Sequence, residues 1–151
     1  MQSIAAELRN ILDTNIAFLR SLQEGNVLLY KASPTKWSKK EILGHLVDSA
    51  QNNIRRFIVA QYEHEPHIVY NQDQWVTISN YQQYPFTDLV ELWYLLNNHI
   101  CIILENINPE AAQRKSRSEN LQSIEWLAQD YIKHLRHHLH QVLDLEKIAY
   151  P

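Results

Sequence analysis

Between Asp130 and Gln141 the chain reads Asp-Tyr-Ile-Lys-His-Leu-Arg-His-His-Leu-His-Gln, so His134, His137, His138 and His140, four of the eight histidines, crowd into seven residues. The stretch lacks glycine and proline and keeps helical periodicity. At about 100° per residue, Ile124, Leu127, Tyr131, Leu135, Val142 and Leu145 share one face. His134 and His138 fall within that face, whereas His137 and His140 point away from it. Imidazoles four residues apart lie one above the other on a helix, close enough to share a metal ion. Without one, each must be desolvated on an apolar stripe and find its own hydrogen bond. Two ligands do not make a site, and a pair at this spacing also suits satisfied core histidines.

The elements that position these side chains are marked by the prolines. Pro34, Pro66, Pro85 and Pro109 all fall between helical segments and none inside one. The first segment, about residues 3–24, opens on Ser3 and stops near Gly25. The second, about 39–62, opens on Ser38-Lys39-Lys40-Glu41, a capping-box pattern. The third, about 88–106, follows Thr87. The fourth, about 121–147, carries the histidines. Four amphipathic helices predict an all-α four-helix bundle, one domain over residues 1–151, with a long connection between helices two and three. That connection, 63–86, is rich in aromatic and polar residues and unlike a disordered linker. Tyr70, Asp73 and Trp75 are its expected anchors and substrate-pocket candidates; alternatively Trp75 and Tyr81 only pin it to the bundle.

Composition narrows the function classes. Two glycines argue against a β-rich fold, and a formal charge of −3 without a basic tract argues against a nucleic-acid surface. Lys36 to Lys40, Arg55-Arg56 and Arg114 to Arg117 read as solvated charge. No apolar run approaches the roughly 20 residues of a membrane span, and no signal-peptide pattern opens the chain. Cys101, alone between two isoleucines, reads as a buried thiol, and the lack of cysteine pairs fits the cytoplasm. No Ser-His-Asp or Cys-His arrangement is legible.

Helix two offers His45. Its main apolar face is Leu43, Leu46, Val47, Ala50, Ile54, Phe57 and Ile58. His45 lies off it, on a stripe with Ile42, Ser49, Asn52 and Arg56. Periodicity makes it a surface residue, or the wall of a polar pocket between helices.

Trp37-Ser38-Lys39-Lys40-Glu41-Ile42-Leu43-Gly44-His45-Leu46-Val47-Asp48 resembles the helix-two motif of the DinB-like (YfiT-like) superfamily, a Trp-Ser/Thr opening followed by His-apolar-x-Asp. His134 to Gln141 matches its partner motif, His-x-x-His-His-apolar-x-Gln. Order and separation agree over essentially the whole chain. The resemblance implies a four-helix bundle and a divalent metal held by His45, His134 and His138, with His137 outside the ligand set. Three neutral imidazoles leave an open position, and zinc or nickel suits them. Asp48 and Asp130, each one turn from a ligand, have the spacing of hydrogen-bond partners for the histidines, and also that of exposed helix charges. Asn52 and Gln141 are further substrate-pocket candidates.

The resemblance further implies a metal-dependent enzyme on a small molecule, transferring a low-molecular-weight thiol such as bacillithiol or mycothiol, or hydrolysing its substrate. The alternative is a non-catalytic helical module binding a small ligand or partner, its metal structural or vestigial. A third reading, a dimerisation protein, calls for an exposed apolar stripe on helix three around Trp93 and Ile100. A homodimer is compatible with all three.

Overall fold

A computed structural model describes residues 1–150; position 151, the end of the expected domain, lies outside the described residues. Four long helices, α1 (Gln2–Ser21), α3 (Lys39–Val59), α5 (Phe86–Asn106) and α7 (Ile124–Leu143), form the bundle. Short helices lie between them: α2 (Asn26–Leu29), α4 (Gln72–Ser79) and α6 (Pro109–Ala112). Strands β1 (Lys115–Arg117) and β2 (Leu121–Ser123) make an antiparallel hairpin just before α7. No helix among the described residues is long and apolar enough to cross a membrane.

Packing sets an unequal ring. Helix α5 lies against both α1 and α3, α3 against α7, and α7 closes more lightly on α1. The long helices consecutive in sequence, α1 and α3, and likewise α5 and α7, are therefore diagonal. Leu8, Leu12, Leu43, Leu46, Phe57, Leu89, Trp93, Ile100, Leu104 and Leu135 fill the interior, each fully buried. A side chain of this kind contributes about 1.5–3 kcal/mol on leaving water. Trp93 and Ile100 thus belong to the core, and no dimerisation stripe exists at those positions.

The start of α3 follows the sequence pattern. Ser38 Oγ accepts from the Glu41 backbone N–H at 3.1 Å, and Glu41 Oε2 accepts from the Ser38 N–H at 2.8 Å. This reciprocal cap fixes the first turn of the helix that carries His45.

Elsewhere the boundaries move. Helix α1 begins at Gln2 behind Met1, and α5 begins at Phe86 behind Pro85, ahead of the expected Ser3 and Thr87. The connection 63–86 is not a plain loop. Asn71 caps α4 through Gln74 N, and a 3₁₀ turn, Tyr81–Gln83, follows. Helix α7 starts only at Ile124, because the residues before it pair in the hairpin. It stops at Leu143, where Asp144 takes a left-handed conformation (φ 55°), leaving Leu145 exposed beyond the helix.

Charge placement also departs from expectation. Lys40 is 1% exposed and ion-pairs with Glu24, and Arg56 is half-buried. Both had the sequence signature of solvated charge. A long aliphatic stem lets such residues run inward when an acceptor waits there: the Glu24 carboxylate for Lys40, the Ile68 carbonyl for Arg56.

Candidate metal centre

His45 projects from α3 and His134 and His138 from α7, two helices packed side by side. One ligating nitrogen from each lies within 4.8 Å of the others. The Nε2 atoms of His45 and His134 are 3.0 Å apart, and the ring centroids of the trio are 4.6–5.0 Å apart. His45 is completely buried, so its position off the main apolar stripe does not mean exposure. Its stripe faces α7, and Trp37 lies against the imidazole with ring centroids 4.8 Å apart. Burial pulls the His45 pKa down to about 3, with His138 adding to the effect. Burial, then His45 and His138, draw His134 to about 2. His138 is lowered by burial as well, against the opposing pull of its Gln141 contact. All three are neutral imidazoles at neutral pH.

A chain of hydrogen bonds decides which nitrogen of His138 carries the proton. The Ile148 carbonyl can only accept, so His137 Nδ1 donates to it, at 2.6 Å. His137 Nε2 then accepts from Gln141 Nε2 at 2.9 Å. That turns Gln141 Oε1 toward His138 Nδ1, which donates at 2.9 Å. The Nε2 of neutral His138 is left with a bare lone pair.

This donor set fits a divalent cation. Between His45 and His134 a single proton can bridge the facing nitrogens, and both Nδ1 atoms are buried without a partner among the described residues. Such unpaired burial costs about 1–3 kcal/mol per group. A cation would engage the three Nε2 lone pairs at once and put the protons on the Nδ1 atoms, which for His45 and His134 would still lack an acceptor among the described residues.

The remaining expected site residues fall in several places. Asp48 does not bond an imidazole; its Oδ1 accepts from Tyr81 Oη at 2.5 Å, while Oδ2 has no partner among the described residues. Burial raises the Asp48 pKa to about 6, against the lowering effect of the Tyr81 bond. Gly44 makes this approach possible, since a Cβ there would lie 2.2 Å from Tyr81 Cδ2. Asp130 accepts from Tyr150 Oη at 3.0 Å rather than from His134. Asn52 is buried and donates to the Asp48 carbonyl of its own helix. Asp73 is exposed in the first turn of α4, and Trp75 packs edge-on to Tyr70. Gln141 is the partner of His138 described above.

A cleft of about 840 Å³ opens beside the centre and reaches His134. Tyr70 lines it, with Ser49, Asn53, Arg56, Asp130 and Tyr150. Of these, Ser49 and Arg56 share the His45 stripe that the sequence offers as a pocket wall, although Arg56 also reads as solvated charge; Asn53 and Tyr150 carry no signal of a site. Tyr150 arrives by a turn after α7. Asp144 reverses the chain, His140 Nδ1 and His137 Nδ1 hold the Glu146 and Ile148 carbonyls, and the Tyr150 ring comes to 5.4 Å from His134. Helical arithmetic places His137 and His140 off the stripe, and nothing in the sequence says what engages them there.

The DinB superfamily model matches residues 7–142, which include all three histidines. Among solved structures, the chain is similar to YfiT from Bacillus subtilis, described as a probable metal-dependent hydrolase with an unusual four-helix bundle topology. The TM-score is 0.80 at 18% identity, over 94% of this chain and 83% of the other. At that identity the likeness shows the fold. No match was found among curated proteins.

Proposed function

The chain belongs to the DinB superfamily, and from that premise we propose that His45, His134 and His138 hold one divalent ion, zinc or nickel, in an enzyme acting on a small molecule. The convergence of three imidazole nitrogens from two helices, within 4.8 Å of one another, carries this reading. When bound, the ion supplies Lewis acidity at an open position toward a thiolate, a carbonyl or water.

The residues around it do the rest. Trp37 shields His45 from solvent, Gln141 fixes the His138 tautomer, and the cleft beside His134 receives the substrate. The nucleophile comes from outside the chain. Cys101 is fully buried, and burial pushes its thiol up to about 11. In the first reading that nucleophile is a low-molecular-weight thiol, giving S-transfer; in the second it is water, giving hydrolysis. The single unpaired cysteine suits a reducing compartment, the cytoplasm.

Metal content of untagged protein purified without chelator tests the reading. About one zinc or nickel per chain, lost in His134→Ala, is the expected result. Protein that carries no metal and takes up none on titration would remove the enzyme and leave a ligand-binding module.

A further inference from the structure

Arg56 is the one lysine or arginine among the residues lining the cleft. Its Nε and Nη2 donate to the Ile68 carbonyl at 3.1 and 3.0 Å, and Nη1 reaches Asn53 Oδ1 at 3.4 Å. A guanidinium has five N–H donors, so two are left without a protein acceptor among the described residues. Arg9, Arg20 and Arg136 each pair with a glutamate, at 2.6–2.9 Å. Arg56, more buried than these, has no such ion pair among the described residues. Asp130 adds a favourable charge from the same cleft wall without pairing with the guanidinium, so the two spare N–H donors of this half-buried cation stay open to an anion from solution.

The cleft supplies the route and the selectivity. It joins Arg56 to His134, so a group held at one end places the rest of its molecule toward the histidines. Asp130 and Glu119 line the same walls. Both carboxylates oppose any anion, and a doubly charged one about twice as strongly, so the guest that the guanidinium can hold against them is singly charged. A carboxylate also matches the planar fork of the guanidinium. Tyr70 and Leu127 offer apolar surface for the body of the molecule.

We propose that Arg56 is an anion subsite that binds the carboxylate of a small, singly charged substrate and directs its other end to the three histidines. This rests on the reading of those histidines as the reactive centre, but the subsite can be tested without the metal.

The probes are benzoate, phenyl phosphate and benzyl alcohol, titrated by NMR into chelated and zinc-loaded protein. Benzoate is expected to bind both forms, to shift the Arg56 Nε–H resonance of the wild type, and to weaken about tenfold or more in Arg56→Gln. Benzyl alcohol and phenyl phosphate are expected to bind more weakly than benzoate. Arg56→Gln should keep the wild-type zinc content, which separates loss of the subsite from loss of the metal centre. The wild-type resonance keeps the test decisive if Arg56→Gln does not fold. An Arg56 signal indifferent to benzoate, benzoate no tighter than benzyl alcohol, or phenyl phosphate tighter than benzoate would each overturn the proposal. So would benzoate binding only to the zinc form and unchanged in Arg56→Gln, which would put the carboxylate on the metal.

Discussion

At the scale of single residues, the three histidines are not equivalent in how they are held. His138 has its proton placed by Gln141, and Gln141 is turned by His137. Neither residue touches the cluster with a ligating atom of its own, yet both govern whether His138 Nε2 offers a lone pair. Gln141→Ala and His137→Ala are therefore expected to lower zinc affinity about 10–100-fold without abolishing it. His138→Ala should lose a ligand outright. Competition against a chromogenic chelator measures all three, and equal affinity in Gln141→Ala and wild type would contradict the relay. The His134–His138 pair is legible in the sequence because its four-residue spacing lies on one strongly periodic stripe. His45 is not legible that way, because a helix with two neighbours has two buried faces and the apolar stripe marks only one. The motif resemblance, not periodicity, identifies it. Tyr150 escapes sequence reasoning and Arg56 is only half-legible, on the His45 stripe but with the signature of solvated charge, because each enters the cleft by a long-range contact, with Asp130 and with the Ile68 carbonyl.

At the scale of elements, the position of His45 depends on the first turn of α3 and on what leans against it. Ser38 caps the helix and also accepts from Gln82 Nε2 at 2.8 Å, tying the 3₁₀ turn to the helix start. Ser38→Ala is expected to cost about 1 kcal/mol by chemical denaturation, the usual value of a lost N-cap. Gly44 lies one residue before His45, and its missing side chain makes room for the Tyr81 ring. Gly44→Ala is expected to destabilise by about 1–3 kcal/mol, since Tyr81 must move and the Asp48 carboxylate then loses its Tyr81 donor. The double variant with Tyr81→Ala should recover part of the clash. If Gly44→Ala proves as stable as wild type, the packing of Tyr81 on α3 is not as described. The sequence reads the start of α3 to the residue because the capping box is local chemistry. It misreads 63–86 as a loop because α4 is short, with Val76 its only buried residue. It starts the last helix too early because 121–123 are held by pairing with 115–117, a partner that no local pattern announces.

At the scale of the whole molecule, four long helices are legible but their diagonal order is not, because helical periodicity says how much of a helix is buried and not by which neighbour. That order brings α3 against α7 and so joins two motifs separated by most of the chain. The resulting centre makes global stability depend on protons and metal together. In the metal-free fold His45 and His134 have pKa values of about 3 and 2, against about 6.5 in the unfolded chain. Between pH 6.5 and 3 the unfolded chain binds more protons than the folded one, so stability falls as the solution is acidified. Complete neutrality of one such histidine at pH 5 costs about 2 kcal/mol relative to pH 6.5. Asp48 acts in the opposite direction, because its folded pKa of about 6 lies above its unfolded value and protonation favours the fold. One carboxylate offsets part of the effect of two histidines, and the net sign stays with the histidines. Chelated protein is therefore expected to lose stability between pH 6.5 and pH 5, read from the urea midpoint, and His134→Gln to show a shallower loss. Zinc at 100 times its dissociation constant should raise stability by about 2.7 kcal/mol at pH 7, and by a similar amount at pH 5, since burial keeps His45 and His134 free of protons there. Equal urea midpoints at the two pH values in chelator would mean that the imidazoles are not held neutral by burial, and the three nitrogens would then not be preorganised for a cation.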